Sequence, residues 1–213
     1  MIPYRPSPLR GEGDKEQVIS GYRGTHEPRS EIRIMAKITL ITGGARSGKS
    51  SFALSLGLQH YLKRAFVATA VPFDQEMRDR VSRHRKERGD QFHTIEEPLE
   101  LARVLADLPS GTEVGIVDCL TVWLGNLYHH FLDKEEKVRM QVDVFLNHLD
   151  HPVCDLVLVT NEVGWGIVPE NPLARSFRDM AGYVNRSVAQ KAACAYLLCC
   201  GIPLVLKGDP LRG

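Results

Sequence analysis

From Lys37 onward the chain alternates short apolar runs with longer stretches in which apolar and polar residues are mixed. The runs at 38–42, 65–69, 113–117, 156–160 and 202–207 are rich in Ile, Val and Leu, mostly without alternation, as in strands buried on both faces. The stretches between them predict helices at about 49–62, 74–88, 97–107, 119–131, 134–149 and 171–195, with Gly182 leaving room for a bend in the last. Strands that alternate with helices in this way predict an α/β fold, a mostly parallel sheet flanked by helices. No internal repeat is visible. Residues 1–34 break the pattern: Pro3, Pro6, Pro8, Gly11, Gly13, Gly21, Gly24 and Pro28 punctuate a polar stretch with no period. That stretch is expected to be a disordered extension before a single domain over 35–213, and Met35 is an alternative start.

Composition changes little in this picture. The 213 residues are 43% hydrophobic and 25% charged, with a formal net charge of +1, and so give no global electrostatic argument for nucleic acid or an anionic membrane. An anionic ligand must therefore be held by a local feature. No stretch reaches the ~18–20 apolar residues of a membrane span, and the first residues lack a signal peptide's apolar centre. The five cysteines form no C-x-x-C pair and have no metal-ligand spacing with the histidines, so they read as reduced thiols used as small hydrophobes. A cytoplasmic protein is expected.

The first apolar run leads into Gly43-Gly44-Ala45-Arg46-Ser47-Gly48-Lys49-Ser50, which satisfies G-x-x-x-x-G-K-[ST] between a predicted strand and a predicted helix. In this context the glycines let backbone N–H groups surround a phosphate. Lys49 reaches the β and γ phosphates, and Ser50 is a ligand for Mg²⁺. Such chemistry usually needs a carboxylate at the end of a neighbouring strand, and Asp118 follows the run 114–117. Asp118 is thus the Walker B candidate, with the N-cap of the following helix as its other reading.

The predicted helix at 74–88 opens with acids and ends in a basic cluster: Arg80, Arg83, Arg85, Lys86 and Arg88 surround His84. Helical spacing puts Met77, Val81 and His84 on one face. Nearby cations disfavour the imidazolium and keep the ring neutral and nucleophilic. His84 is either a covalent nucleophile on phosphorus or a half-buried helix residue beside a solvated charged face.

Several strings taken in order decide between these readings: Thr-Gly-Gly-Ala-Arg-Ser-Gly-Lys-Ser at 42–50, Ala-Thr-Ala at 68–70, Arg-Val-Ser-Arg-His-Arg at 80–85, Thr-Ile-Glu-Glu-Pro at 94–98, Asp-Cys-Leu-Thr-Val-Trp-Leu at 118–124, and Thr-Asn-Glu-Val-Gly-Trp-Gly-Ile-Val-Pro-Glu-Asn at 160–171. Together they resemble the bifunctional adenosylcobinamide kinase/adenosylcobinamide-phosphate guanylyltransferase family from residue 37 onward. The resemblance implies a P-loop NTPase-like, RecA-like fold and two reactions. In the first, ATP or GTP phosphorylates adenosylcobinamide. In the second, GTP guanylylates a histidine and the GMP passes to adenosylcobinamide phosphate. The family's histidine falls on His84; the neighbouring Arg83 can be histidine in relatives. Lys49, Arg46, Ser50, Mg²⁺ and Asp118 are the expected phosphoryl-transfer groups, with Arg88 among the cations beside His84.

Glu96 is a candidate for guanine or ribose donors, or an ordinary surface acid. Thr69, Asn161 and Glu162 lie at strand ends where open α/β sheets bind ligands. Arg175 and Arg178 suit a corrinoid phosphate, a neighbouring subunit or helix solubility, and Trp123 and Trp165 suit core or interface better than corrinoid stacking. The resemblance also implies a homo-oligomer, a trimer. A regulatory GTPase lacks its text here, because no D-x-x-G follows Asp118 and Asn161-Glu162-Val163-Gly164 is not N-K-x-D. A monofunctional small-molecule kinase is the other rival.

Overall fold

The structure is a computed structural model that describes residues 36–72, 75–132 and 134–209. The extension expected at 1–34 lies outside the described residues, as do the side chains of Met77, Arg80, Arg83 and His84.

Seven strands make one sheet: β1 (Ile38–Gly43), β2 (Arg64–Ala68), β3 (His93–Glu96), β4 (Val114–Asp118), β5 (Asp155–Val159), β6 (Cys194–Cys199) and β7 (Ile202–Lys207), in the order β3-β2-β4-β5-β1-β6-β7. All neighbours are parallel except β6 and β7, which form an antiparallel hairpin. The helices are α1 (Lys49–His60), α2 (Gln75–Arg88), α3 (Leu101–Ala106), α4 (Leu120–His130), α5 (Glu135–His148) and α6 (Pro172–Lys191). Among the described residues, no helix is long and apolar enough to cross a membrane.

The unalternating apolar strands are explained by two cores. Ala53, Leu54 and Leu56 of α1 pack with Ile41, Phe66, Ile116 and Val157 in one of them. The other joins α3, α4, α5 and α6 around Leu40, Val67, Val117 and Leu158. Trp123 is at its centre, 5.0 Å from the Phe145 ring, and its indole N–H donates to the Leu99 carbonyl at 2.8 Å. Trp123 is therefore a core residue, whereas Trp165 is 71% exposed. The last helix begins at a built cap: the Asn171 side chain accepts from the N–H groups of Leu173 and Ala174, and Pro172 follows. It then runs unbroken through Gly182.

Three expectations change. The helix predicted to 195 stops at Lys191, because Ala192 turns to extended backbone and the next apolar run becomes β6, held between β1 and β7. β3 was not predicted at all. It is a short edge strand of sequence His-Thr-Ile-Glu, half polar and partly exposed. β7 has the predicted bounds but is an exposed antiparallel edge rather than a strand buried on both faces. The cysteines also divide: Cys119 and Cys154 are buried small hydrophobes, but Cys199 and Cys200 are exposed at the hairpin turn.

Candidate functional site

Because β1 to β5 are parallel neighbours, their carboxyl ends share one edge, where the chain brings its chemistry-bearing residues. β1 ends in the P-loop, β2 in Thr69, β3 in Glu96, β4 in Asp118 and β5 in Thr160 to Glu162. Ligands of open α/β sheets bind at this edge.

The P-loop is shaped by close approach as much as by phosphate chemistry. Gly43 has φ +145°, and a Cβ there would lie 2.4 Å from the Leu198 carbonyl oxygen of β6. Gly48, left-handed at φ +95°, opens α1 with no side-chain cap, so the first N–H groups of the helix have no side-chain acceptor at that position. The β6–β7 turn closes the far side, with the Gly201 N–H donating to the Ser47 carbonyl at 3.0 Å. Lys49 is buried, and its ammonium donates to the Gly44 carbonyl at 2.5 Å and to Ser47 Oγ at 3.4 Å. Ala45 and Arg46 are exposed on the loop and Ser50 is half-buried in the first turn of α1.

Asp118 is half-buried at the end of β4, with β5 between it and β1. The N-cap of α4 is Cys119, not Asp118: its sulfur accepts from the Val122 N–H. This leaves the Asp118 carboxylate on the wall of a cavity of about 220 Å³. The charges of Asp118 and Lys49 both bear on the Cys119 thiol. Burial, and then the Asp118 charge, push that thiol up to about 12. It is a neutral structural group, not a nucleophile.

The opposite wall comes from α2. Val81, Arg85 and Arg88 line the cavity with Phe66, Ala70 and Glu96. Arg88 is buried and stacks on the Phe66 ring with its guanidinium carbon 4.1 Å from the centroid, a cation–π contact that holds the helix end against β2. Arg85 forms an ion pair with Glu96, and both are exposed. The helix contains position 84, one turn from Val81 and one from Arg88, while the His84 side chain lies outside the described residues.

Thr69 departs from the expectation of a ligand contact. It is fully buried, its hydroxyl donates to the Cys119 carbonyl at 2.9 Å and accepts the Cys119 N–H at 2.8 Å. Asn126 donates to its carbonyl at 2.7 Å. Thr69 thus ties β2 to β4 beside Asp118 and presents no hydroxyl to the cavity.

Glu162 follows β5, which lies between the strand of Asp118 and the strand that leads into the P-loop. Its carboxylate accepts from Thr42 Oγ1 at 2.7 Å and from Asn185 Nδ2 at 3.1 Å, and its N–H donates to the Gly43 carbonyl at 3.2 Å. Asn185 also donates to the Asn161 carbonyl and accepts from Thr160 Oγ1 at 2.7 Å. This buried network fixes the end of β5 against β1, and the sequence reading missed Asn185. The available signal was an amide within the apolar stripe Met180, Ala181, Val184 and Val188 of α6. Arg175 donates from one guanidinium nitrogen to the Pro169 and Glu170 carbonyls and holds the loop before α6.

Residues 39–206 match the family described as cobinamide kinase / cobinamide phosphate guanyltransferase. The chain is 37% identical over 172 residues to the bifunctional adenosylcobalamin biosynthesis protein CobP of Pseudomonas aeruginosa, covering 81% of this chain and 98% of that protein. It is 35% identical over 179 residues to CobU of Escherichia coli K12, with 79% and 98% covered. With Salmonella typhimurium CobU it shares 34% over 180 residues, again with 79% and 98% covered.

Proposed function

Since the chain belongs to the cobinamide kinase/cobinamide phosphate guanyltransferase family, we propose that it phosphorylates adenosylcobinamide with ATP or GTP and then guanylylates the product through His84. The observation that carries this reading is the placement, along one sheet edge, of a P-loop and of a cavity walled by a basic helix and the Asp118 carboxylate. One nucleotide bound there has its phosphates between Lys49 and the α2 cations.

In the kinase step the hydroxyl of the corrinoid's aminopropanol arm attacks the γ-phosphorus; its O–P bond forms as the bond to the β-phosphate oxygen breaks, the hydroxyl proton is released to water, and the nucleoside diphosphate leaves. Lys49 and Arg46 stabilise charge on the transferring oxygens, and the P-loop N–H groups orient them. In the second step a neutral ring nitrogen of His84 attacks the α-phosphorus of GTP and pyrophosphate leaves. The corrinoid phosphate oxygen then attacks that phosphorus, the N–P bond breaks and the imidazole is restored, giving adenosyl-GDP-cobinamide. Helical spacing sets position 84 on the face that carries Val81 and Arg88, and Arg85 and Arg88 supply the cations that keep a neighbouring imidazole neutral.

Ser50 and Asp118 fit Mg²⁺, being a hydroxyl and a carboxylate at the phosphate end of the site. An ion held there would take these two protein oxygens and complete its shell with phosphates and water. When bound there, Mg²⁺ would neutralise phosphate charge. Glu96 is assigned to the guanosine donors, which requires it to exchange its Arg85 partner for the ligand; this is an exposed pair of small intrinsic worth. The protein works in the cytoplasm as a homo-oligomer, a trimer on the family resemblance.

The test is incubation with GTP radiolabelled at the α-phosphate and Mg²⁺, for wild type and His84→Ala. The expected result is an acid-labile, base-stable label on wild type, the behaviour of a phosphoramidate, and none on the variant. A wild type that binds GTP and takes no label overturns the guanylyltransferase half and leaves a kinase or a GTP-binding switch.

A further inference from the structure

A second concavity, about 500 Å³, lies between α6 and the loop that follows β5, within the ~300–1,000 Å³ of small-molecule sites. Gly164 and Gly166 make a wall with little side-chain relief, and Val168 extends it. Beside them Trp165 and Ile167 are 71% and 96% exposed on the same loop. Exposed apolar groups this concentrated mark a surface that meets a ligand or partner. The helix side is cationic. Arg178 pairs with Asp179 at 3.3 Å, while Arg186 makes no ion pair among the described residues and also lines the groove.

The groove begins where the neighbours of the P-loop end. Glu162, bonded to Thr42 and to the Gly43 carbonyl, is two residues before Gly164. Asn185, bonded to the Glu162 carboxylate, is next to Arg186 on α6. A ligand in the groove is thus bordered by the same loop and helix that hold the end of β5 against β1.

We propose that this groove is the corrinoid-binding site, with the apolar loop 163–168 against the macrocycle and Arg186 taking the phosphate of the phosphorylated substrate. The inference rests on the reading of the chain as a cobinamide kinase and guanylyltransferase. An amphipathic macrocycle carrying one anionic arm matches a flat wall of Gly164, Gly166 and Val168, flanked by the exposed Trp165 and Ile167 and facing the Arg186 guanidinium, since a guanidinium recognises phosphate through paired N–H donors. Arg175 stands behind the site as a positioning residue, because its bonds to the Pro169 and Glu170 carbonyls hold the loop's end.

Two variants test this. Gly182 also lines the groove, and a Cβ built on it meets no atom within 4 Å. Gly182→Leu therefore projects a side chain into the groove from a position where the Cβ itself has open space, and replaces a helix-weakening residue. Arg186→Glu reverses the charge. Binding of cobinamide and cobinamide phosphate is measured by equilibrium dialysis, read from the visible absorbance of the corrin, alongside GMP labelling from GTP and mass by light scattering. Gly182→Leu is expected to weaken both corrinoids by about tenfold or more, and Arg186→Glu to weaken the phosphate selectively by about tenfold, the effect of losing one charge-assisted contact. Both are expected to keep the GMP label. Unchanged corrinoid affinity in both variants overturns the proposal, as does a change of assembly mass without a change of affinity, which would make the groove a contact between copies of the chain. Failure of the functional reading looks different: wild type would then bind neither corrinoid nor take any label.

Discussion

Thr69 shows how a single hydroxyl at a sheet edge is spent on architecture. Its donor and one acceptor lone pair close a reciprocal pair with the Cys119 backbone, which orients the peptide that follows Asp118. Thr69→Val keeps the shape but leaves the buried Cys119 N–H without its acceptor, while the Cys119 carbonyl keeps the Trp123 N–H. The expected cost is about 1–3 kcal/mol, and Thr69→Ser should recover most of it. Urea unfolding of the three proteins checks the order. A ligand-contacting role would instead lower GTP affinity in Thr69→Val while leaving the unfolding midpoint in place.

The element most constrained by its neighbours is the loop between β1 and α1. The phosphate-binding motif fixes Gly43 and leaves Gly44 open, and the packing separates them for a second reason. A methyl at Gly43 meets the Leu198 carbonyl at 2.4 Å in a left-handed backbone, whereas one at Gly44 meets nothing within 4 Å. Gly43→Ala is therefore expected to lower stability by about 2 kcal/mol or more without any nucleotide, and Gly44→Ala to stay within about 0.5 kcal/mol of wild type. Thermal unfolding in nucleotide-free buffer distinguishes them; equal melting temperatures would mean that β6 does not constrain the loop. The P-loop and the strand carrying Asp118 were legible in the sequence because each is a local pattern, a motif or an apolar run read in place. β6 was lost because the run 194–199 follows a helix directly, and periodicity does not separate a buried strand from a helix end. The Thr69–Cys119 and Thr160–Asn185 contacts join residues 50 and 25 positions apart. No local pattern predicts them, although the amide in the buried stripe of α6 pointed to a partner.

On the scale of the whole molecule, the sheet ends in an edge that a lone chain in water handles poorly. All six residues of β7 are exposed, four of them being Ile202, Leu204, Val205 and Leu206. The one charge on the strand, Lys207, turns back to the Ala189 and Gln190 carbonyls and does not guard the edge. Edge strands are ordinarily protected by charge, proline, bulges or a covering element, and here Pro203 and the irregular pairing at Ala195/Tyr196 are the protections present among the described residues. Burial in a homo-oligomer removes this apolar surface from water at about 25 cal/mol per Å², so β7 is the natural seam for the proposed assembly. Wild type is expected to show a multiple of 23.8 kDa by light scattering, and the double variant Leu204→Lys/Leu206→Lys a mass of one chain with an unchanged far-ultraviolet circular dichroism spectrum. Because β7 lies at the sheet end opposite β3 and α2's Arg85–Glu96 pair, GMP labelling should survive this separation unless the partner copy contributes to the site. A dissociated variant that no longer labels would show that the site is shared between copies, and a variant that keeps the wild-type mass would remove β7 from the seam.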